Sequence, residues 1–189
     1  PPAVRGRDFP FLAPSSTPGE LGRLDHYAIR GVLGAGGMAI VFDAHDDKLH
    51  RDVAVKVMRP EKATAAMRER FVREARLLAS LPHDHIVHIY DVGEAGLPYL
   101  SMEKLRGETL ESRLARDGSL PVDEAVSFAR QIAQGLEAAH AKKLVHRDIK
   151  PSNIWIEETP EGRFRRVKLL DFGIARGETD DAPAGAIIG

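Results

Sequence analysis

The run His146-Arg147-Asp148-Ile149-Lys150-Pro151-Ser152-Asn153, with Asp171-Phe172-Gly173 beginning eighteen residues after it, restricts this 189-residue chain more than any other feature. Five fixed residue types in the first run would arise by chance in a chain this long on the order of once in ten thousand, so coincidence is a poor account of it. The residue types suit phosphoryl transfer. Asp148 supplies a carboxylate to orient a hydroxyl and take its proton, and Lys150 a cation to neutralise a moving phosphoryl group. Asn153 and Asp171 are two oxygen ligands for a hard divalent metal.

Upstream, Leu33-Gly34-Ala35-Gly36-Gly37-Met38-Ala39-Ile40-Val41 places three glycines between two strand candidates. Such a turn lets backbone N–H groups approach phosphate oxygens; the alternative is a plain flexible hairpin. Val53-Ala54-Val55-Lys56 ends an apolar strand run with a lysine. Strand alternation sends neighbours to opposite faces, and a buried ammonium needs a carboxylate or phosphate partner. The alternative is an edge-strand lysine. Glu74, within Phe71-Val72-Arg73-Glu74-Ala75, either turns inward to meet Lys56 or is one more solvated acid.

Five strands are expected before the middle of the chain: Tyr27–Leu33, Ile40–Ala44, Val53–Met58, Ile86–Val92 and Leu97–Met102. Between the third and fourth, Met67, Phe71, Ala75 and Leu78 recur at helical steps within Glu61–Ser80. A short helix is expected over Leu110–Asp117, ending at Gly118. A longer one is expected over Pro121–Lys143, with an apolar face of Val122, Ala125, Ala129, Ile132, Ala133, Leu136 and Ala139. Two short strands follow, Ile154–Ile156 and Arg166–Leu170. Residues 1–24 hold five of the twelve prolines and read as a disordered linker. The order is a strand-rich lobe over 25–104, then a helix-rich one over 105–189.

The 27 basic and 28 acidic side chains nearly cancel, which weighs against a polyanion-neutralising surface and so against nucleic acid as partner. No apolar run approaches the roughly 18 to 20 residues needed to span a bilayer, so no membrane contact is expected within this segment. The absence of cysteine removes disulfides and thiolate chemistry and fits a cytoplasmic address. The chain starts at Pro1 and stops at Gly189 without a closing element, and is expected to be part of a longer protein.

With these motifs in this order, the sequence resembles the eukaryotic-like protein kinases of the bacterial serine/threonine type, from about Asp25 to Gly189. The resemblance implies an α+β, two-lobed, protein kinase-like fold: an antiparallel five-stranded first lobe with one helix, then an incomplete helical lobe, with ATP between them. It implies phosphorylation of serine or threonine in protein substrates, with Mg2+, or Mn2+ in its place, and a second kinase domain as a dimer partner. Lys56 is implied to pair with Glu74 and grip the ATP phosphates under the loop of Leu33, Gly34, Ala35, Gly36, Gly37 and Met38. Asn153 and Asp171 are implied to hold the metal. Lys150, two residues after Asp148, marks serine/threonine specificity, and Arg147 marks control by activation-loop phosphorylation. Met102 becomes the gatekeeper, and backbone groups of Glu103 and Leu105 meet the adenine edge. Val41, Ala54 and Trp155 sandwich the base, and Leu78, Ile89, His146 and Phe172 stack as a regulatory spine.

The chain departs from the family pattern in three ways. Ala39 stands for the third loop glycine, Trp155 for a smaller aliphatic residue under the adenine, and the chain stops inside the activation segment. Apolar surface on the long helix and around Ile149 and Ile156 is therefore expected to lie exposed. A fragment or pseudokinase that binds nucleotide without turnover is the alternative reading. His83, Asp84, His85 and His88 have metal-ligand residue types, but read better as a turn and strand. Asp43 to Asp52 reads as a solvated turn. Thr179 is a candidate phosphorylation site.

Overall fold

In the computed structural model, which describes residues 8–172, β-branched and aromatic runs pair into one antiparallel sheet. Its strands are β1 (Gly22–Leu24), β2 (Tyr27–Ala35), β3 (Ala39–Asp46), β4 (Arg51–Met58), β5 (Ile89–Ala95) and β6 (Leu97–Glu103), in spatial order β1-β2-β3-β4-β6-β5. β4 sets the functional geometry through its period of two. Val53, Val55 and Val57 enter an apolar cluster on one face with Tyr27, Ile29, Phe42 and Tyr99. Ala54 and Lys56 therefore point to the opposite face.

The sheet has six strands rather than five, because β1 lies in the stretch expected as linker. Over residues 8–24 that expectation fails. Gly22 pairs with Ile29, Ala13 bridges Arg23, and Leu12 is buried. The Phe9 ring stands edge-on to Phe42 at 5.0 Å. The prolines dilute a sparse set of apolar residues that becomes a core patch only when the sheet is there to receive it. Residues 1–7 lie outside the described residues.

Helix α1 (Ala65–Ala79) is capped by Thr64, whose hydroxyl accepts from the Met67 N–H at 3.3 Å. It starts later than expected because Pro60–Lys62 forms a separate 3-10 turn. Phe71, Ala75 and Leu78 bury its inner face against β5 and β6. Past residues 104–106, β7 (Gly107–Thr109) leads into α2 (Leu110–Asp117), which stops at Gly118 with φ 76°. Helix α3 (Val122–Ala141) follows.

The buried stripe of α3 meets the expected face at Ala139, with Ile132 and Leu136 half-buried against the core, and departs from it elsewhere. Phe128, Gln131, Gly135 and Ala139 face inward, while Val122, Ala125, Ala129 and Ala133 are exposed. β9 (Phe164–Leu169) packs on the stripe containing Gly135, and its Val167 N–H donates to Gln131 Oε1 at 2.8 Å. A Cβ on Gly135 would sit 3.0 Å from the His85 carbonyl oxygen, so close approach is what the glycine permits.

β7, β8 (Ile154–Glu158) and β9 form a small second sheet. Ile156, expected to be exposed, is buried there, whereas Ile149 is exposed. The lobes are laced together by backbone bonds from Val87 N–H to the Leu169 carbonyl and from Leu169 N–H to the His85 carbonyl. One apolar cluster runs through both lobes, from Phe71, Leu78 and Ile89 to Phe128, Leu169 and Phe172. Among the described residues no helix is long and apolar enough to cross a membrane.

Candidate active site

A cavity of about 710 Å³ lies between the lobes, roofed by Gly34–Ala39 and floored by Asp148, Lys150, Ser152 and Asn153, with Lys56 and Asp171 in its wall. A narrower apolar recess of about 250 Å³ shares Gly34, Val41 and Asp171 with it, and extends to Leu33, Ala54, Met102, Glu103, Leu105 and Trp155. The fold thus gathers most of the motif residues at one cleft. Ser152 of the 146–153 run also lines it, as does Glu111, which no motif marks.

The floor is built by the turn after α3. Arg147 takes φ 62° and Asp171 φ 49°, left-handed conformations that cost energy in residues with a Cβ and persist only where the surroundings hold them. Here the holder is His146. Its Nδ1 accepts from the Asp148 N–H at 3.3 Å, so the ring proton sits on Nε2, which donates to the Leu170 carbonyl at 2.8 Å. One imidazole thereby ties the Asp148 turn to the Asp171 turn. Burial pushes its pKa below the ordinary histidine value, which keeps the ring neutral. It packs on Phe172 at 4.4 Å, and Leu78 and Ile89 lie in the same cluster as Phe172.

Asp148 is held from two sides. Asn153 Nδ2 donates to its carbonyl at 2.8 Å and to Oδ2 at 2.9 Å, and Lys150 Nζ lies 2.9 Å from Oδ2. Asn153 is itself locked by the 3-10 turn Pro151–Asn153 and by the Leu170 N–H, which donates to its carbonyl at 2.9 Å. Because Asn153 donates to Asp148 through Nδ2, its Oδ1 is the atom suited to a cation, alongside the Asp171 carboxylate. Among the described residues no cluster of three or more His, Asp or Glu side chains is placed to hold a metal. Two hard oxygen donors fit a magnesium ion that completes its shell with phosphate and water oxygens.

One expected contact is not formed. Lys56 Nζ pairs with Asp171 Oδ1 at 2.7 Å, and Glu74 instead accepts from Arg70 Nε at 3.0 Å. Arg70 is one helical turn from Glu74 and always within its reach, whereas Lys56 lies on another element and has Asp171 beside it. The expected Lys56–Glu74 pair is therefore replaced by two others in this structure.

In the recess, Trp155 Nε1 donates to the Arg106 carbonyl at 2.9 Å, which fixes the indole as one wall. Glu103 donates its N–H to the His88 carbonyl, and its carboxylate accepts from the His88 N–H at 2.7 Å while pairing with the buried Lys168. Lys168 braces this corner, and no motif marks it. Of the stretch expected as a turn and strand, Asp84 and His85 form the turn and His88 lies just before β5; His83 Nδ1 accepts from His85 N–H, and His85 Nδ1 meets the Val167 carbonyl. In the acidic stretch, Asp46 Oδ1 accepts from the N–H groups of Lys48 and Leu49, a capped turn. Gly173 and Thr179 lie outside the described residues.

Comparison with known proteins agrees with this geometry. Residues 27–187 match the protein kinase domain family. The chain is 41% identical over 174 residues to the serine/threonine-protein kinase PknB of Mycobacterium leprae, covering 87% of this chain and 27% of that protein. It is 42% identical over 160 residues to the probable serine/threonine-protein kinase SCO3848 of Streptomyces coelicolor, covering 82% of this chain and 23% of that one. The chain thus spans about a quarter of the length of these relatives. Among solved structures, the Mycobacterium tuberculosis PknI kinase domain superposes with a TM-score of 0.71 at 31% identity, covering 87% of this chain and 64% of that one.

Proposed function

Since this chain belongs to the protein kinase domain family, we propose that the protein carrying it transfers the γ-phosphoryl group of ATP to serine or threonine hydroxyls of protein substrates. The observation that carries this reading is the meeting of Lys56, Asp148, Lys150, Asn153 and Asp171 beneath the glycine-rich turn in one cleft.

Asp148 accepts the proton of the substrate hydroxyl as its oxygen bonds to the γ-phosphorus. The bond from that phosphorus to the β,γ-bridging oxygen breaks, and ADP departs with the electron pair. Lys150 offsets charge on the phosphoryl in transit, and Lys56 grips the remaining phosphates. Glu74 orients Lys56 once it leaves Arg70. A magnesium ion on Asn153 and Asp171 would neutralise phosphate charge, with manganese able to replace it. The recess of Leu33, Val41, Ala54, Met102, Glu103, Leu105 and Trp155 takes the adenine. Dependence on ATP and magnesium supports a cytoplasmic address for this chemistry. The lobes divide at residues 104 and 105.

One observation favours a second reading, a nucleotide-binding module without turnover: Glu74 pairs with Arg70 rather than Lys56. Phosphate transfer by the full-length protein separates the two. Asp148→Asn should cut turnover by about 10² to 10⁴ with ATP binding nearly unchanged. Turnover at the parent level in that variant would remove Asp148 from its role, and nucleotide binding without transfer in the parent protein would favour the second reading.

A further inference from the structure

The glycine-rich turn is held from outside the cleft. In the Gly36–Ala39 turn, Gly36 N–H donates to the Ala39 carbonyl at 2.9 Å. The Gly36 carbonyl accepts from Arg59 Nε at 2.7 Å. Arg59 also donates its backbone N–H to the Met38 carbonyl at 3.0 Å, so one residue grasps the turn at two carbonyls. Its guanidinium is steadied by Glu61, 3.5 Å away. Arg59 follows β4 directly, three residues after Lys56, and does not itself line the cleft.

We infer that Arg59 is a positioning residue for phosphate binding, an inference that rests on the nucleotide reading of this cleft. Glycines in a turn have wide conformational freedom, and ordering them on a ligand costs entropy. Two carbonyls of the turn are drawn to Arg59, outside the cleft, and because the N–H of a trans peptide points opposite to its C=O, this turns the N–H groups of Gly37 and Ala39 the other way, the direction a phosphate would need. Arg59 thus lowers the cost of ordering the turn before the ligand arrives, and couples the turn to the strand that carries Lys56. The phosphate moiety is the part of the nucleotide this device serves. The base, in the recess of Trp155 and Met102, is outside its reach.

The test compares ATP and adenosine binding to the parent chain, Arg59→Met and Arg59→Lys, together with amide hydrogen exchange of the turn without ligand. Arg59→Met keeps the apolar stem and removes the donor. It should weaken ATP binding about fivefold, leave adenosine binding unchanged and speed exchange in the turn, with Arg59→Lys recovering part of each effect. Equal losses for ATP and adenosine, unchanged ATP affinity, or unaltered exchange would overturn the role of Arg59, while ATP binding by the parent chain would keep the nucleotide reading intact. A parent chain that binds neither ligand would overturn the nucleotide reading and the inference with it.

Discussion

Lys56 and Asp171, 115 positions apart in the chain, meet through Nζ and Oδ1 at 2.7 Å. The side chain of Lys56 is 10% exposed and that of Asp171 44%, so the pair closes the inner wall of the cleft while its acid remains reachable. In the proposed reading it joins the strand whose ammonium grips phosphate to the turn whose carboxylate holds the metal. A cation arriving at Asp171 must compete with that ammonium.

Magnesium alone should therefore bind weakly, and at least about tenfold more tightly in the presence of a non-hydrolysable ATP analogue, because phosphates give Lys56 a new partner. Lys56→Met should strengthen binding of the metal alone and weaken binding of the nucleotide. Calorimetric titration measures both, and a variant with unchanged metal affinity would disprove the competition.

His146 makes stability depend on pH. Burial lowers its pKa, so as pH falls the unfolded chain takes up a proton near pH 6.5 before the folded one does. Its contribution is fully present above about pH 6.5 and is lost as pH drops toward the lowered folded value. His83 is shifted the same way by its own burial. Melting temperature should fall between pH 7.5 and 5.5, and less steeply in His146→Gln. An equal slope in the two proteins would contradict this.

Trp155 is the single tryptophan of the chain, and it stands in the recess assigned to the base. Adenosine and ATP should both alter its fluorescence. With Trp155→Leu the signal should vanish and affinity should drop about fivefold, as expected for loss of one stacking face. Tighter binding in the variant would mean that the indole crowds the base.

Lys168, whose side chain is 4% exposed, pairs with Glu103 and lies 3.4 Å from the Ile86 carbonyl. Removing the cation alone leaves the Glu103 carboxylate without its counter-charge, and Lys168→Met should cost about 3 kcal/mol in urea unfolding. The double variant Lys168→Met/Glu103→Leu should lose clearly less than the sum of the single ones. Additive losses would show that the two do not act as a pair.

Much of this architecture is legible one element at a time. Alternation in Val53-Ala54-Val55-Lys56 already sends Ala54 and Lys56 to the face opposite the valines, and β4 bears them there. The 110–117 helix has the expected bounds, because its capping Thr109 and its stop at Gly118 are local signals. The motif of 146–153 specifies its own turn. Less legible was α3, where the polar Gln131 turns inward to accept from the Val167 N–H of β9 while the more apolar Val122 and Ala125 stay exposed. The Pro-rich start was misjudged because Phe9 and Leu12 acquire a purpose only against Phe42.

What the sequence determined by itself is the identity and order of the chemical groups and which of them share a face, since backbone periods of 2 and 3.6 are set by covalent geometry. Tertiary structure alone decided which groups meet across elements: Lys56 with Asp171 rather than with Glu74, and Arg59 with the Gly36 carbonyl. Each of these choices rests on distances between elements far apart in the chain, and on differences of a few kcal/mol among partners that the linear order of residues does not rank.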